Sequence, residues 1–288
     1  MARRKTTPVS NHVETDMPSE RIARVLCVAN NKGGVGKTTT AVNLAAGLAY
    51  LEEKRVLLVD LDPQGNASIS LGVDIEDLQY SIKDLLAGNM TDFQQLLWDK
   101  GENLKILPSN STLKEIESAL LSSVDGRKRF RERIKPVRDQ FDFIIIDTAP
   151  TTGVLTQSAL IASDEVITPV DVGYLSLQGL RQLLEEIEQV RIHENPELML
   201  AGVLLTKFDS RTKLSKQVED VLRRSFPKEA FKTVIRVNID LIRCQIDRKS
   251  IFSTEPDSTG AQDYRSLIDE ILKKEQLAKI IPLRMSRS

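Results

Sequence analysis

The chain has 288 residues, 41% of them apolar and 28% charged, and a formal net charge of −1. That length buries a substantial core in one or two domains, and the near balance of charge excludes a globally basic nucleic-acid binder, so any such surface is local. No apolar run reaches a membrane span, no secretory signal opens the chain, and Cys27 and Cys244 form neither a zinc pattern nor a disulfide framework, so a reducing cytoplasm is the expected compartment.

Residues 1–23 carry few large apolar side chains and are expected to form a flexible arm. From Arg24 onward apolar runs alternate with helical patterns. Strands are predicted at 24–29, 55–60, 104–107, 142–146, 165–170, 200–206 and 233–236. Helices are predicted at 36–51, 110–122, 127–139, 154–162, 176–193, 212–225 and 260–276. Continuous apolar strands alternating with helices predict an α/β fold, with a single doubly wound, mainly parallel sheet and helices on both faces. The expected organisation is one unit over 24–276, followed by a tail over 277–288.

The first predicted strand runs into Asn31-Lys32-Gly33-Gly34-Val35-Gly36-Lys37-Thr38-Thr39-Thr40, and a helical pattern follows. Strand, Gly-rich loop and helix form the context of a phosphate-binding loop. Glycines let backbone N–H groups turn inward around phosphate oxygens, and the helix N-terminus adds partial positive charge. Lys37 is the candidate for the β- and γ-phosphates and Thr38 for Mg²⁺. Asn31 stands where the usual pattern has its first glycine, and a second lysine, Lys32, heads the loop.

The second predicted strand ends in Asp60-Leu61-Asp62-Pro63-Gln64-Gly65-Asn66. Ligands of open parallel sheets sit beyond the carboxyl ends of the strands, so Asp60 and Asp62 reach the same edge as the loop. A carboxylate there orients an attacking water or holds metal-bound water, although Asp-Pro-Gln-Gly also suits a plain turn. The apolar strand before Asp147 ends in the same way. Asp147 is a candidate for binding Mg²⁺ through water, or alternatively for capping the helix that follows.

Three stretches now resemble one family. Lys-Gly-Gly-Val-Gly-Lys-Thr-Thr-Thr at 32–40, Leu-Val-Asp-Leu-Asp-Pro-Gln-Gly-Asn at 58–66 and Ile-Ile-Ile-Asp-Thr-Ala-Pro at 144–150 are similar to the ParA/Soj partition ATPases. These belong to the deviant Walker A class of P-loop NTPases, which also holds MinD and the nitrogenase iron protein. The resemblance implies slow ATP hydrolysis with Mg²⁺, a face-to-face homodimer when ATP is bound, and non-specific DNA binding on the nucleoid. It also implies a ParB-like or cargo-adaptor protein that stimulates hydrolysis. By position, Lys32 matches the lysine that crosses the dimer to the partner's nucleotide, Gly33 the glycine packed at that interface, and Asp62 the acidic residue needed for hydrolysis. Gly34, Val35, Gly36, Lys37, Thr38 and Thr39 match the nucleotide loop, and Asp147 the residue that acts on Mg²⁺ through water. The family's Pro-Arg-Asn and Leu-x-Glu-Ala-Pro stretch is altered here to Val234-Ile235-Arg236-Val237-Asn238-Ile239-Asp240-Leu241. Asn238 remains the candidate near the adenine.

Between Lys207 and Lys249, twelve Lys and Arg face six Asp and Glu. Such a local field favours salt-dependent, sequence-blind DNA binding. Lys216, Arg223, Arg236, Arg243, Arg248 and Lys249 are the candidates, because the family's DNA surface lies largely in its C-terminal half. A second basic run, Arg127 to Lys135, competes for the role. Its Phe130, Ile134 and Val137 share one helical face that is expected to be buried. The alternative function is a MinD-like membrane switch, carried by an amphipathic segment from Gln276 to Arg287 that Pro282 interrupts. An iron–sulfur reductase is disfavoured, since neither cysteine suits a cluster on a dimer axis.

Overall fold

A computed structural model describes residues 22–89 and 92–280. The arm read at 1–23 therefore lies, except for Ile22 and Ala23, outside the described residues, and so does the chain beyond Ile280. Eight strands form one sheet: β1 Arg24–Val28, β2 Val56–Leu61, β3 Trp98–Asp99, β4 Leu104–Leu107, β5 Phe143–Thr148, β6 Glu165–Asp171, β7 Met199–Phe208 and β8 Ala230–Arg236. Their order is β3-β4-β2-β5-β1-β6-β7-β8, and every pairing is parallel except β3 with β4.

The α-helices are α1 Lys37–Tyr50, α2 Asn66–Ser70, α3 Ile82–Ala87, α4 Lys114–Ser122, α5 Arg129–Ile134, α6 Val154–Ala162, α7 Tyr174–His193, α8 Lys213–Ser225, α9 Ile239–Ile246, α10 Ile251–Thr254 and α11 Thr259–Ile280. Alternation along the strands divides the core in two. On β5, Ile144 and Ile146 enter a core beneath α3 to α7, while Phe143 and Ile145 enter one beneath α1 and α9 to α11. Both faces of the sheet are thus covered, as continuous β-branched strands require. The doubly wound parallel expectation holds.

The differences from expectation are local. The helix expected over 127–139 is broken into a 3₁₀ turn, α5 and a second 3₁₀ turn over Lys135–Gln140. Pro136 has no N–H to donate and sits at the start of that last turn. Helix α11 runs four residues into the segment read as tail. Ala23, read as part of the arm, is buried in the core and donates its N–H to Arg138 O. Among the described residues no helix is long and apolar enough to cross a membrane.

Strand β1 lies between β5 and β6. The chain leaves β1 through α1 toward β2 on one side, and the β5-to-β6 connection passes to the other. That divergence is the switch point where α/β sheets hold ligands, beyond the carboxyl ends of the strands. The loop at 31–36, Asp60, Asp62 and Asp147 all arrive there.

Candidate functional site

The loop is shaped by two backbone conformations. Gly34 and Gly36 have φ of 75° and 90°, in the left-handed region that a Cβ disfavours. Gly36 caps α1 with no side-chain bond to its first turn, so the N–H groups of that turn remain available to an anion. Lys37 lies just inside the helix, 6% exposed, and its Nζ donates to Lys32 O at 3.0 Å. Burial pulls its ammonium below the ordinary lysine range, and Asp147 and Asp62 oppose that shift. A triphosphate would supply the missing negative charge.

Beside the loop stand three carboxylates. Register pairs Asp60 on β2 with Asp147 on β5. Asp60 is fully buried and accepts from Ser68 N at 2.8 Å, Ser68 Oγ at 2.7 Å and Asp62 N at 3.2 Å, so it braces the Asp62 turn. Burial pushes its carboxyl up to about 6 despite those donors. Asp62 accepts from Gln64 N at 2.9 Å and lines the cleft. Asp147 is also fully buried, and Thr38 Oγ1 donates to its Oδ2 at 2.7 Å. Burial first, and Asp60 second, raise the Asp147 carboxyl well above the usual range.

The other Asp147 oxygen, Oδ1, is shielded from solvent and has no hydrogen-bond partner among the described residues. A buried acceptor left unpaired beside a threonine hydroxyl fits a hydrated divalent cation. Thr38 would ligate Mg²⁺ and Asp147 would hold its water. When bound, the ion neutralises charge on the phosphate oxygens. Around that position Lys37 and Asp62 line the cleft, where an ammonium would meet phosphates and a carboxylate would orient a water, and the strand ends that carry Asp60 and Asp147 are buried.

A cleft of about 770 Å³ opens over the loop, a size suited to a nucleotide. Gly33, Gly34, Gly36, Lys37, Thr38, Thr39, Asp62 and Asn238 all line it. Val35 does not: its side chain is wholly buried, and its carbonyl accepts from Thr206 Oγ1 at 2.8 Å. Asn238 spends its amide on the fold, accepting from Asp240 N at 2.7 Å and Leu241 N at 3.2 Å and donating to Thr259 Oγ1 at 2.6 Å. It therefore sets the start of α9 at the cleft wall. Sequence reasoning missed Thr206, Lys207, Ile242 and Gln245, which also line the cleft. Gln245 Nε2 donates to Thr39 Oγ1 at 2.8 Å and ties α9 to the loop helix. Thr206 and Lys207 lie at the carboxyl end of β7, a position that offered a signal; Ile242 and Gln245 lie on α9, whose signal is the Asn238 N-cap.

Lys32 is not among the residues lining its own cleft. Its Nζ lies 2.9 Å from Asp171 Oδ2, at the end of β6. The basic candidates fall into two groups. Helix α8, with Lys216 and Arg223, packs through Val218 and Leu222 on the α7 side of the sheet, whereas α9, with Arg243, packs on the α1 side. Arg223 is clasped by Glu219 at 2.7 Å and by the carbonyls of Phe231 and Lys232. Arg236 grips Asp263 at 2.6 Å. Arg243 is 62% exposed and 3.4 Å from Asp240, and Lys216, Arg248 and Lys249 are exposed. In the competing run, Phe130, Ile134 and Val137 are buried as expected, while Arg127 and Lys128 pair with Glu194.

A glycine cradle at a helix N-terminus, a buried lysine and a threonine–aspartate pair define a P-loop nucleotide-hydrolysing protein. The AAA domain family model AAA_31 matches residues 23–200. The sporulation initiation inhibitor protein Soj of Bacillus subtilis is 40% identical over 250 residues, covering 87% of this chain and 98% of Soj. The chromosome partitioning protein ParA of Myxococcus xanthus is 38% identical over 255 residues, covering 88% and 89%. A Mycobacterium smegmatis protein named cobyrinic acid a,c-diamide synthase, solved with ADP and magnesium, is 35% identical with a TM-score of 0.74, covering 88% of this chain and 96% of that one. The chain belongs to the Soj/ParA family of partitioning ATPases. It is a ParA-type positioning ATPase whose cofactors are ATP and Mg²⁺.

Proposed function

We propose that the ATPase works as a two-copy switch: ATP joins two chains face to face, the joined form binds DNA without sequence preference, and a ParB-like or cargo-adaptor protein triggers hydrolysis and release. The observation that carries this reading is Lys32. It heads the phosphate loop but lies outside the lining of its own cleft, and Gly33 beside it is exposed on the rim. A cation at that position serves a nucleotide held opposite. A positive group supplied in trans spreads transition-state charge as an arginine finger does.

Lys32→Ala is expected to abolish the stimulated part of turnover while Mg·ATP still binds; the check is steady-state phosphate release with and without the adaptor. Full stimulation in that variant would reject the role. Asp62→Ala is expected to bind ATP without hydrolysing it, and pull-down with it should retain DNA and adaptor together.

The DNA surface is assigned to Arg243, Arg248 and Lys249, the exposed group that follows the cleft wall. Replacing all three with alanine should weaken DNA binding and reduce its salt slope by about one for each phosphate no longer neutralised. Fluorescence anisotropy at several salt concentrations reads both quantities. Unchanged affinity, with ADP binding intact, would shift the surface to Lys216 and its neighbours on α8.

A further inference from the structure

Within one chain the ammonium of Lys32 is gripped by Asp171, with Nζ 3.0 Å from Oδ1 and 2.9 Å from Oδ2. The grip is supported from both ends. Asn30 Oδ1 accepts from Lys32 N at 2.9 Å, and Asn30 Nδ2 donates to the carbonyl of Pro169, on the strand that carries Asp171, at 2.7 Å. Asp171 Oδ1 also accepts from Gly173 N at 3.0 Å, just before the first turn of α7. Further along that helix, Gly179 stands against both partners of the loop: a Cβ there would meet Asn30 Oδ1 at 3.6 Å and Lys32 Cβ at 3.9 Å. The side chains of Lys32 and Asp171 are 33% and 16% exposed. An ion pair held at two points and partly shielded outweighs an open surface pair.

We propose that Asp171 is a positioning residue that parks Lys32 within its own chain, and that release of this pair gates the passage of Lys32 to the nucleotide of a second copy. The gate rests on the two-copy reading above. The exchange strands no charge. Lys32 leaves a carboxylate for a more highly charged phosphate, which forms a charge-assisted bond at least as strong. Asp171, left behind, keeps the Gly173 N–H and the N-terminal end of α7, whose partial positive charge favours a carboxylate. The balance between the two positions is then the differential affinity of one ammonium for two anions, and weakening either anion shifts it. Because α7 lies against Asn30 and Lys32, a protein that displaces the start of α7 would act on the same pair.

Asp171→Asn removes the charge and keeps an acceptor for Gly173 N. Two readouts on the full chain separate parking from its consequence. In the chain alone, acylation of Lys32 by an amine-reactive ester, followed by mass spectrometry, is expected to be faster in the variant. With a non-cleavable ATP analogue and magnesium, half-dimerisation is expected at about fivefold lower chain concentration than in the parent, because a symmetric dimer releases two such pairs and each partly shielded pair contributes about twofold. ADP affinity should be unchanged, since neither residue lines the cleft. Unchanged Lys32 reactivity would overturn the parked pair. Raised reactivity with an unmoved or weaker dimer midpoint, while the parent dimerises, would overturn the gate and leave the two-copy reading intact. Parent and variant both remaining single chains with the analogue would overturn the two-copy reading, and the gate with it.

Discussion

Lys37→Ala is expected to lower ATP turnover by roughly 10²–10³-fold, the cost of removing one preorganised charge from a phosphoryl-transfer site. The expectation rests on where Lys37 lies. It is 6% exposed, and burial works against its own charge. A charge kept under that penalty in a cleft marks a ligand-binding position. The neighbouring groups offset it only in part: its Nζ bonds to the Lys32 carbonyl, and the charges of Asp147 and Asp62 act against the larger effect of burial. The thermal stabilisation that saturating Mg·ATP gives the parent should disappear in the variant, because that gain scales with ligand affinity. Turnover assays and thermal shift with and without Mg·ATP check the two halves. A variant that retained both would remove Lys37 from the phosphate site.

The second large effect is expected at Asp147, where stability and function move in opposite directions. Asp147→Asn should cut Mg²⁺-dependent turnover by roughly 10²-fold by removing the carboxylate proposed to hold the hydrated ion. The same change should raise the unfolding midpoint of the chain without nucleotide. Asp147 and Asp60 face each other across paired strands, both fully buried, and burial raises both carboxyls. A carboxyl whose folded pKa lies above its unfolded value binds its proton more tightly in the folded chain. Folding is therefore favoured at low pH, and the penalty for carrying the charge grows as pH rises through the folded value. The variant removes the Asp147 titration, whose folded value lies well above the ordinary carboxylate range. The advantage of the asparagine variant should be smaller at pH 5 than at pH 8, and Thr38 Oγ1 keeps an acceptor throughout. Thermal unfolding across that range checks the sign; a variant less stable than the parent at pH 8 would mean that the paired carboxylates do not strain the fold.

The nucleotide loop was legible because its chemistry is local. Glycines that need left-handed backbone, a lysine and threonines stand in one run between a strand and a helix. The alternation of strands and helices likewise predicted the parallel sheet, since buried strands read as unbroken apolar runs such as Ile144-Ile145-Ile146. What was not legible depends on pairings between distant stretches of chain. Asp60 and Asp62 were placed at the correct edge, but the pairing of Asp60 with Asp147 is a matter of register. Lys32 and Asp171 stand 139 residues apart and meet only because β6 is laid beside β1. The basic stretch over 207–249 read as one cluster, yet β8 divides it between two faces of the sheet, and Arg223 and Arg236 are drawn into clasps with Glu219 and Asp263. Helix α9 falls outside the predicted helices because it is only eight residues long; its start signal is Asn238, which caps it, followed by Ile-Asp-Leu. At Pro136 the break comes from the missing N–H, which the apolar spacing over 127–139 does not register.

The claim on which the functional account depends is that two copies of this chain close around ATP. Sedimentation equilibrium of the purified chain, with magnesium and a non-cleavable ATP analogue and again with ADP, measures it directly. The account predicts a species of twice the chain mass with the analogue and a single chain with ADP. A single-chain mass under both conditions, with the analogue shown to be bound, would contradict it.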